Sequence, residues 1–347
     1  MRLVSPLLKH VIYPGLSGTG YFEAASQGPA VLTYHGILPS DYESSDSHID
    51  GNLVTAKAFR LQLEFLKRQY NVIHPEQFHS WLKGEENLPD RAVLLTCDDG
   101  LKNCVTEMLP LLQSFNLSCL FFVTGACLDS SPSILWNDEL WLWLRTGDGR
   151  LSFDIAGKRF YAKTFAHKRS LWWMVVNELS SFDHQRRNEL LREIKDQLCS
   201  SASRSATCLS TSQQDRFLLL SPFELQQLSK AGMSIGAHTL SHPVLSKCDE
   251  ASARSEILWC KQRLENFCGK EIWALAFPFG DSKSAGSREY DLAQQAGFAC
   301  AFLNCEGSAA DSDKFALPRV HITCDMRLPE FAAHVSGVHR ELQKLFA

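Results

Sequence analysis

The sequence has no CxxC pair, no HExxH segment, no block of like charges and no long apolar stretch, and each absence removes a class of protein. Its twelve cysteines are scattered, several of them inside apolar runs, where a thiol behaves as a small buried hydrophobe. A chain of 347 residues needs no disulfides to stabilise its core, and scattered thiols suit a reducing compartment. The missing HExxH glutamate counts against a zincin protease. Residues 1–10 offer only short apolar pieces broken by Ser5, Pro6 and Lys9, which is no secretory signal. No later stretch reaches the ~18 apolar residues of a membrane span, so the expectation is a cytoplasmic chain without one. Lys and Arg number 35 against 39 Asp and Glu, a balance that leaves no basic field and excludes nucleic acid as an expected partner.

What is present is a strand-then-helix rhythm. Short β-rich runs fall at 30–34, 92–97, 118–123, 233–237, 272–277, 298–303 and 315–320. Amphipathic patterns separate most of them, at 101–115, 222–231, 251–267, 288–296 and 329–345 among others. Seven strands alternating with helices predict a parallel α/β sheet, open or closed into a barrel. One stretch breaks the rhythm. Residues 128–218 carry Trp136, Trp141, Trp143, Trp172 and Trp173, then a Ser/Thr-rich run at 200–214. We read 128–218 as a largely helical insertion with a strand pair near 151–161 and a flexible loop at 200–214, between barrel parts at 1–127 and 219–347. The tryptophans suit packing within the insertion better than stacking on sugar rings.

The residues able to do chemistry gather at strand ends. Thr96-Cys97-Asp98-Asp99-Gly100 closes the second run. Two adjacent carboxylates are costly there unless a cation or proton lies between them, and adjacent residues point different ways. One can bind a metal while the other handles a proton; a helix cap plus a solvated acid is the bland alternative. His238-Thr239-Leu240-Ser241-His242-Pro243 follows the fourth run, and Pro243 favours a turn over a mid-helix pair. Together the two segments make a two-histidine, one-carboxylate set with open positions. Ala276-Phe277-Pro278-Phe279-Gly280, Thr33-Tyr34-His35-Gly36 and Leu317-Pro318-Arg319-Val320-His321 also end strands. In a barrel these ends meet on one face, where active sites are built.

At these residues the chain resembles the polysaccharide deacetylases, the NodB-homology carbohydrate esterases, over about 30–99 and 233–321. The resemblance implies a distorted (β/α)7 barrel and a metal-dependent hydrolase acting on an acetylated glycan. Thr96-Cys97-Asp98-Asp99-Gly100 matches the T-F-D-D-G motif with Cys97 in place of Phe, making Asp98 the base and Asp99 a metal ligand. His238 and His242 match H-[ST]-x-x-H and complete the site of a divalent ion, zinc by preference. Phe277-Pro278-Phe279-Gly280 resembles the groove-wall motif, in which the N–H after Pro278, that of Phe279, helps hold the oxyanion. Two departures stand out. The arginine that usually opens that motif is Ala276 here, and Arg319 is the substitute for orienting the base. The late L-x-H histidine has no clear copy, whereas Tyr34-His35 resembles that segment in circularly permuted members. His35 is therefore the expected general acid, with His321 in reserve. O-acetyl ester cleavage, or sugar binding without catalysis, are the competing expectations.

Overall fold

A computed structural model of the chain describes residues 4–25, 28–44, 49–145, 151–198 and 209–346. Seven parallel strands follow the predicted runs: β1 (Ala30–Tyr34), β2 (Ala92–Cys97), β3 (Leu120–Val123), β4 (Ser234–Ala237), β5 (Ala274–Ala276), β6 (Cys300–Phe302) and β7 (Val320–His321). Their order in the sheet is β6-β5-β4-β3-β2-β1-β7, with the short strand Asn71–Val72 also paired to β2. From β2 to β6 every strand residue is buried, as expected where helices cover the outside and side chains fill the inside.

The sheet curls until its two ends share one segment. Val320 and His321 pair with Leu32 and Thr33 of β1, while just upstream the Leu317 N–H donates to Ala301 and Leu303 N–H donates to Leu317. The expected distorted seven-stranded barrel is thus borne out. The seventh strand lies later than the 315–320 run, because Pro318 has no N–H and interrupts the ladder between the two partners. Two helices also differ from expectation. The 101–115 pattern becomes a wide π turn at Cys104–Met108 and a helix at Leu109–Ser114, since Pro110 cannot donate to an upstream carbonyl. The 329–345 pattern splits into Leu328–Val335 and Val338–Phe346 at Gly337, whose φ of 80° ends the first helix.

Described residues within 128–218, joined by Ile49, build a second apolar cluster around Leu140, Trp141, Val175, Leu190 and Ile194. It contains the helices Trp136–Leu144, Phe165–Leu179 and His184–Leu198 and an antiparallel pair of Leu151–Ile155 with Lys158–Ala162. Four of the tryptophans are buried in packing, whereas Trp173 is exposed. Of the loop expected at 200–214, residues 200–208 lie outside those described. Its end is helical instead, because Ser210 and Gln213 form a capping box on Thr211–Phe217. Arg216 of that helix joins the insertion to the barrel: its Nε donates to Asp50 at 2.6 Å and its Nη1 to Asp138 at 3.0 Å, all three buried. No described helix is long and apolar enough to cross a membrane.

Candidate active site

Four strand ends bring the sequence-selected residues together at the barrel mouth. Asp98 and Asp99 leave β2, His238 leaves β4, His35 leaves β1 and His321 ends β7. The Nε2 atoms of His238 and His242 each lie 3.3 Å from the same Asp99 Oδ1. His238 Nδ1 is 2.8 Å from the Ala276 carbonyl, which can only accept, so Nδ1 carries the proton and the Nε2 lone pair faces Asp99. Ala276 thus has a part, through its backbone, at the position where an arginine was missed.

The His238–His242 turn is over-determined by its neighbours. Glu256 accepts from the Ser241 N–H at 2.8 Å and hydroxyl at 2.6 Å, and Trp136 Nε1 donates to the His242 carbonyl at 3.1 Å. Such support is needed, because seven described non-glycine residues have positive φ and four of them, Asp99, Thr239, His242 and Phe279, are in this site. Backbone held in that region costs free energy and persists where the surroundings enforce it. The β1 end is held as firmly. Gly36 has a φ of 120°, and a Cβ there would come within 2.0 Å of Asn103 Oδ1, which accepts from the Ile37 N–H.

Asp98 has a different neighbour. Arg319 donates Nη1 to Oδ1 at 2.7 Å and Nη2 to Oδ2 at 2.6 Å, a two-pronged pair buried on both sides. Arg319 is itself fixed by Thr96 Oγ1 at 3.1 Å and the Leu303 carbonyl at 2.9 Å. Burial works to raise the Asp98 pKa, but Arg319, together with His238 and His35, outweighs it and holds the carboxyl below its ordinary value. Asp99 is likewise held well below the carboxylate range, its burial offset by the two imidazoles. Those imidazoles part company. Burial lowers both, yet Asp99 and Asp98 raise His238 above its usual value, while burial prevails at His242 and keeps it low.

The two candidate acids stand side by side, ring centres 5.1 Å apart. Buried nitrogens of both, His35 Nδ1 and His321 Nε2, have no hydrogen-bond partner among the described residues. Burial, with His35 adding, pushes His321 down to about 3. Phe279 follows Pro278 at the rim, half-exposed, with its ring 5.1 Å from His242 and 6.4 Å from Trp136. Sequence reasoning missed Trp136, Glu256 and Asn103 as supports, and no local spacing marks them, since each acts on a segment distant in the chain.

Three comparisons bear on this geometry. The polysaccharide deacetylase family profile matches residues 85–138 and 179–301, together just over half of the chain and spanning both the Asp98-Asp99 and the His238–His242 segments. This chain belongs to the polysaccharide deacetylase family. The relatives of this family are enzymes. The poly-beta-1,6-N-acetyl-D-glucosamine N-deacetylase of Escherichia coli K12 is 30% identical over 116 residues, 33% of this chain but only 16% of that protein's length. Among solved structures, the deacetylase PplD of Streptococcus pyogenes is 17% identical, with 89% of this chain and 99% of that one covered at a TM-score of 0.56. IcaB of Ammonifex degensii matches at 17% identity, 90% and 98% coverage and the same TM-score of 0.56. These two likenesses speak for the fold.

Proposed function

We propose that this member of the family hydrolyses the acetamide of N-acetylated amino sugars within a polysaccharide, releasing acetate and a free amine. The observation that carries the reading is the approach of two imidazole Nε2 atoms to one Asp99 oxygen, each at 3.3 Å, beside a second carboxylate held by its own arginine. Asp99, His238 and His242 would hold a divalent cation, and zinc suits two imidazoles and a carboxylate with positions left open. When bound, such an ion supplies Lewis acidity, acidifying a water and polarising a carbonyl.

The chain's own residues do the rest. Asp98, kept ionised by Arg319, takes the proton of the attacking water. Phe279, turned by its φ of 63°, offers its N–H to the developing oxyanion. His35 protonates the departing amine. His321, with its pKa at about 3, is neutral near pH 7 and leaves that task to its neighbour. The name of the Escherichia coli relative supports a polymer of N-acetylglucosamine, and hence a place in exopolysaccharide biosynthesis.

The test is acetate release from poly-β-1,6-N-acetylglucosamine oligomers, chitooligosaccharides and an O-acetylated glycan, with zinc-loaded protein. Acetate and new amines are expected from an N-acetylated polymer. Asp98→Asn should keep the metal and lose ~10²–10⁴-fold in turnover, whereas Asp99→Asn should weaken metal binding itself. Acetate from the ester alone, or identical behaviour of the two variants, would overturn the reading.

A further inference from the structure

A second group of metal-ligating side chains comprises Glu306, His334 and His339, the first two of which line a cavity with Pro318, Arg319 and Val320 of the last strand segment. Glu306 follows β6, His334 lies near the end of the helix Leu328–Val335, and His339 lies in the first turn of Val338–Phe346. One donor atom from each lies within 4.8 Å of the other two. A cavity of about 30 Å³, lined by Glu306, His334, Pro318 and Arg340 among others, adjoins them and is large enough for one small ion or water.

The arrangement differs from an ordinary surface ion pair because one of its imidazoles, that of His339, is held from behind by a hydrogen bond. His334 turns Nδ1 to Glu306 Oε1 at 2.5 Å and has Glu330 Oε1 at 4.0 Å from Nε2. His339 has Nε2 3.9 Å from Glu306 Oε2, and its Nδ1 is hydrogen-bonded to the Tyr13 hydroxyl. An oxygen behind the far nitrogen is how metal-binding histidines are oriented. Gln343, one helical turn beyond His339, has Nε2 2.7 Å from His339 Nε2, and its amide turned over presents an oxygen at that place.

The two rings stack with centres 3.8 Å apart and planes at 22°. Two imidazolium ions would repel strongly at that separation. Two imidazoles, one carboxylate and one amide oxygen form a tetrahedral donor set for zinc once the rings unstack and the donors close to ~2.0–2.2 Å.

We propose that Glu306, His334 and His339, with Gln343 as fourth donor, form a second divalent-cation site that fastens the C-terminal helices to the outer wall of the barrel. The wall in question carries Arg319, whose N–H donates at 2.9 Å to Cys305, the residue before Glu306. The ion's role is structural, since all its donors lie outside the mouth where Asp98 and Asp99 stand.

Zinc titration by calorimetry into the chelator-stripped full chain tests this. Two equivalents are expected for the wild type and one for His334→Ala/His339→Ala. One is also expected for His238→Ala/His242→Ala, whose Tm should still rise with zinc. Adding the His334 and His339 changes to that variant should abolish binding and the Tm response. Should the alanine pair not fold, Glu306→Gln keeps a partner for His334 while removing the charge, and should weaken the second equivalent at least tenfold. A single equivalent in the wild type, lost with His238 and His242, would overturn the second site and leave the first intact. So would an undiminished second equivalent in the His334, His339 or Glu306 variants.

Discussion

Asp98 and Asp99 are neighbours in sequence that serve opposite partners, and the backbone explains how. Asp99 takes a φ of 74°, which turns its carboxylate to the imidazoles while Asp98 stays in line with the strand and meets Arg319. Much the same division sets His35 apart from His321. His35→Ala should keep the metal and lose most amide hydrolysis, yet spare an activated ester whose leaving group needs no proton. Acetate and ester assays on the same preparation decide it, and equal losses on both substrates would refute the role. His321 carries a stability signature as well. Its folded pKa of about 3 lies below the 6.5 of a free imidazole, so the unfolded chain binds more protons between those values. Stability from this residue is therefore complete above pH ~6.5 and falls as pH drops towards 3. Urea midpoints of metal-free protein at neutral and acid pH should show that slope, and His321→Asn should flatten it.

At the scale of elements, the motifs were legible because they are local: a carboxylate pair or an H-x-x-x-H turn lies within one short segment. Six of the seven strands were legible too, since buried parallel strands are continuous apolar runs. The errors occurred where one residue overrides a pattern. Pro318 splits the last ladder, Pro110 widens a helical turn and Gly337 divides a helix, while the apolar periodicity runs on past all three. The props of the His238–His242 turn were illegible for another reason, since Trp136 and Glu256 reach it only through the fold. Trp136→Phe removes one N–H and keeps an aromatic ring, leaving the His242 carbonyl without that donor. Metal affinity should fall by at least ~10-fold, the usual cost of losing an outer support, with the helix content in circular dichroism unchanged. Undiminished affinity would show that Glu256 alone holds the turn.

For the whole molecule the question is how a second apolar cluster stays attached to a barrel. Arg216 bridges Asp50, from the chain beyond β1, and Asp138, from the insertion's first helix. Burial and the nearby Asp99 push the Asp138 pKa up, and Arg216 opposes them. Arg216→Met would strand two buried carboxylates, a change that costs ~3–5 kcal/mol when one partner of a buried pair is removed. The urea midpoint should drop accordingly, with Arg216→Lys intermediate; an unchanged midpoint would mean the apolar contacts suffice. Nothing in the sequence marks these three residues, spaced as they are across the chain.

The shared last strand has a consequence for how the protein is made. Arg319 stands 221 positions after Asp98, and the segment around it seals the sheet between β6 and β1. A nascent chain emerging from the ribosome can order β1 to β6 early, since each needs only strands already synthesised. Until the segment around Arg319 appears, however, Asp98 lacks its two-pronged arginine partner and the curl has a gap. Premature termination between His242 and Arg319 therefore yields a product with both His238 and His242, the full aspartate pair and an open seam. Such a fragment keeps the candidate ligands yet lacks the closure, and its exposed strand edges make it a substrate for chaperones and proteases.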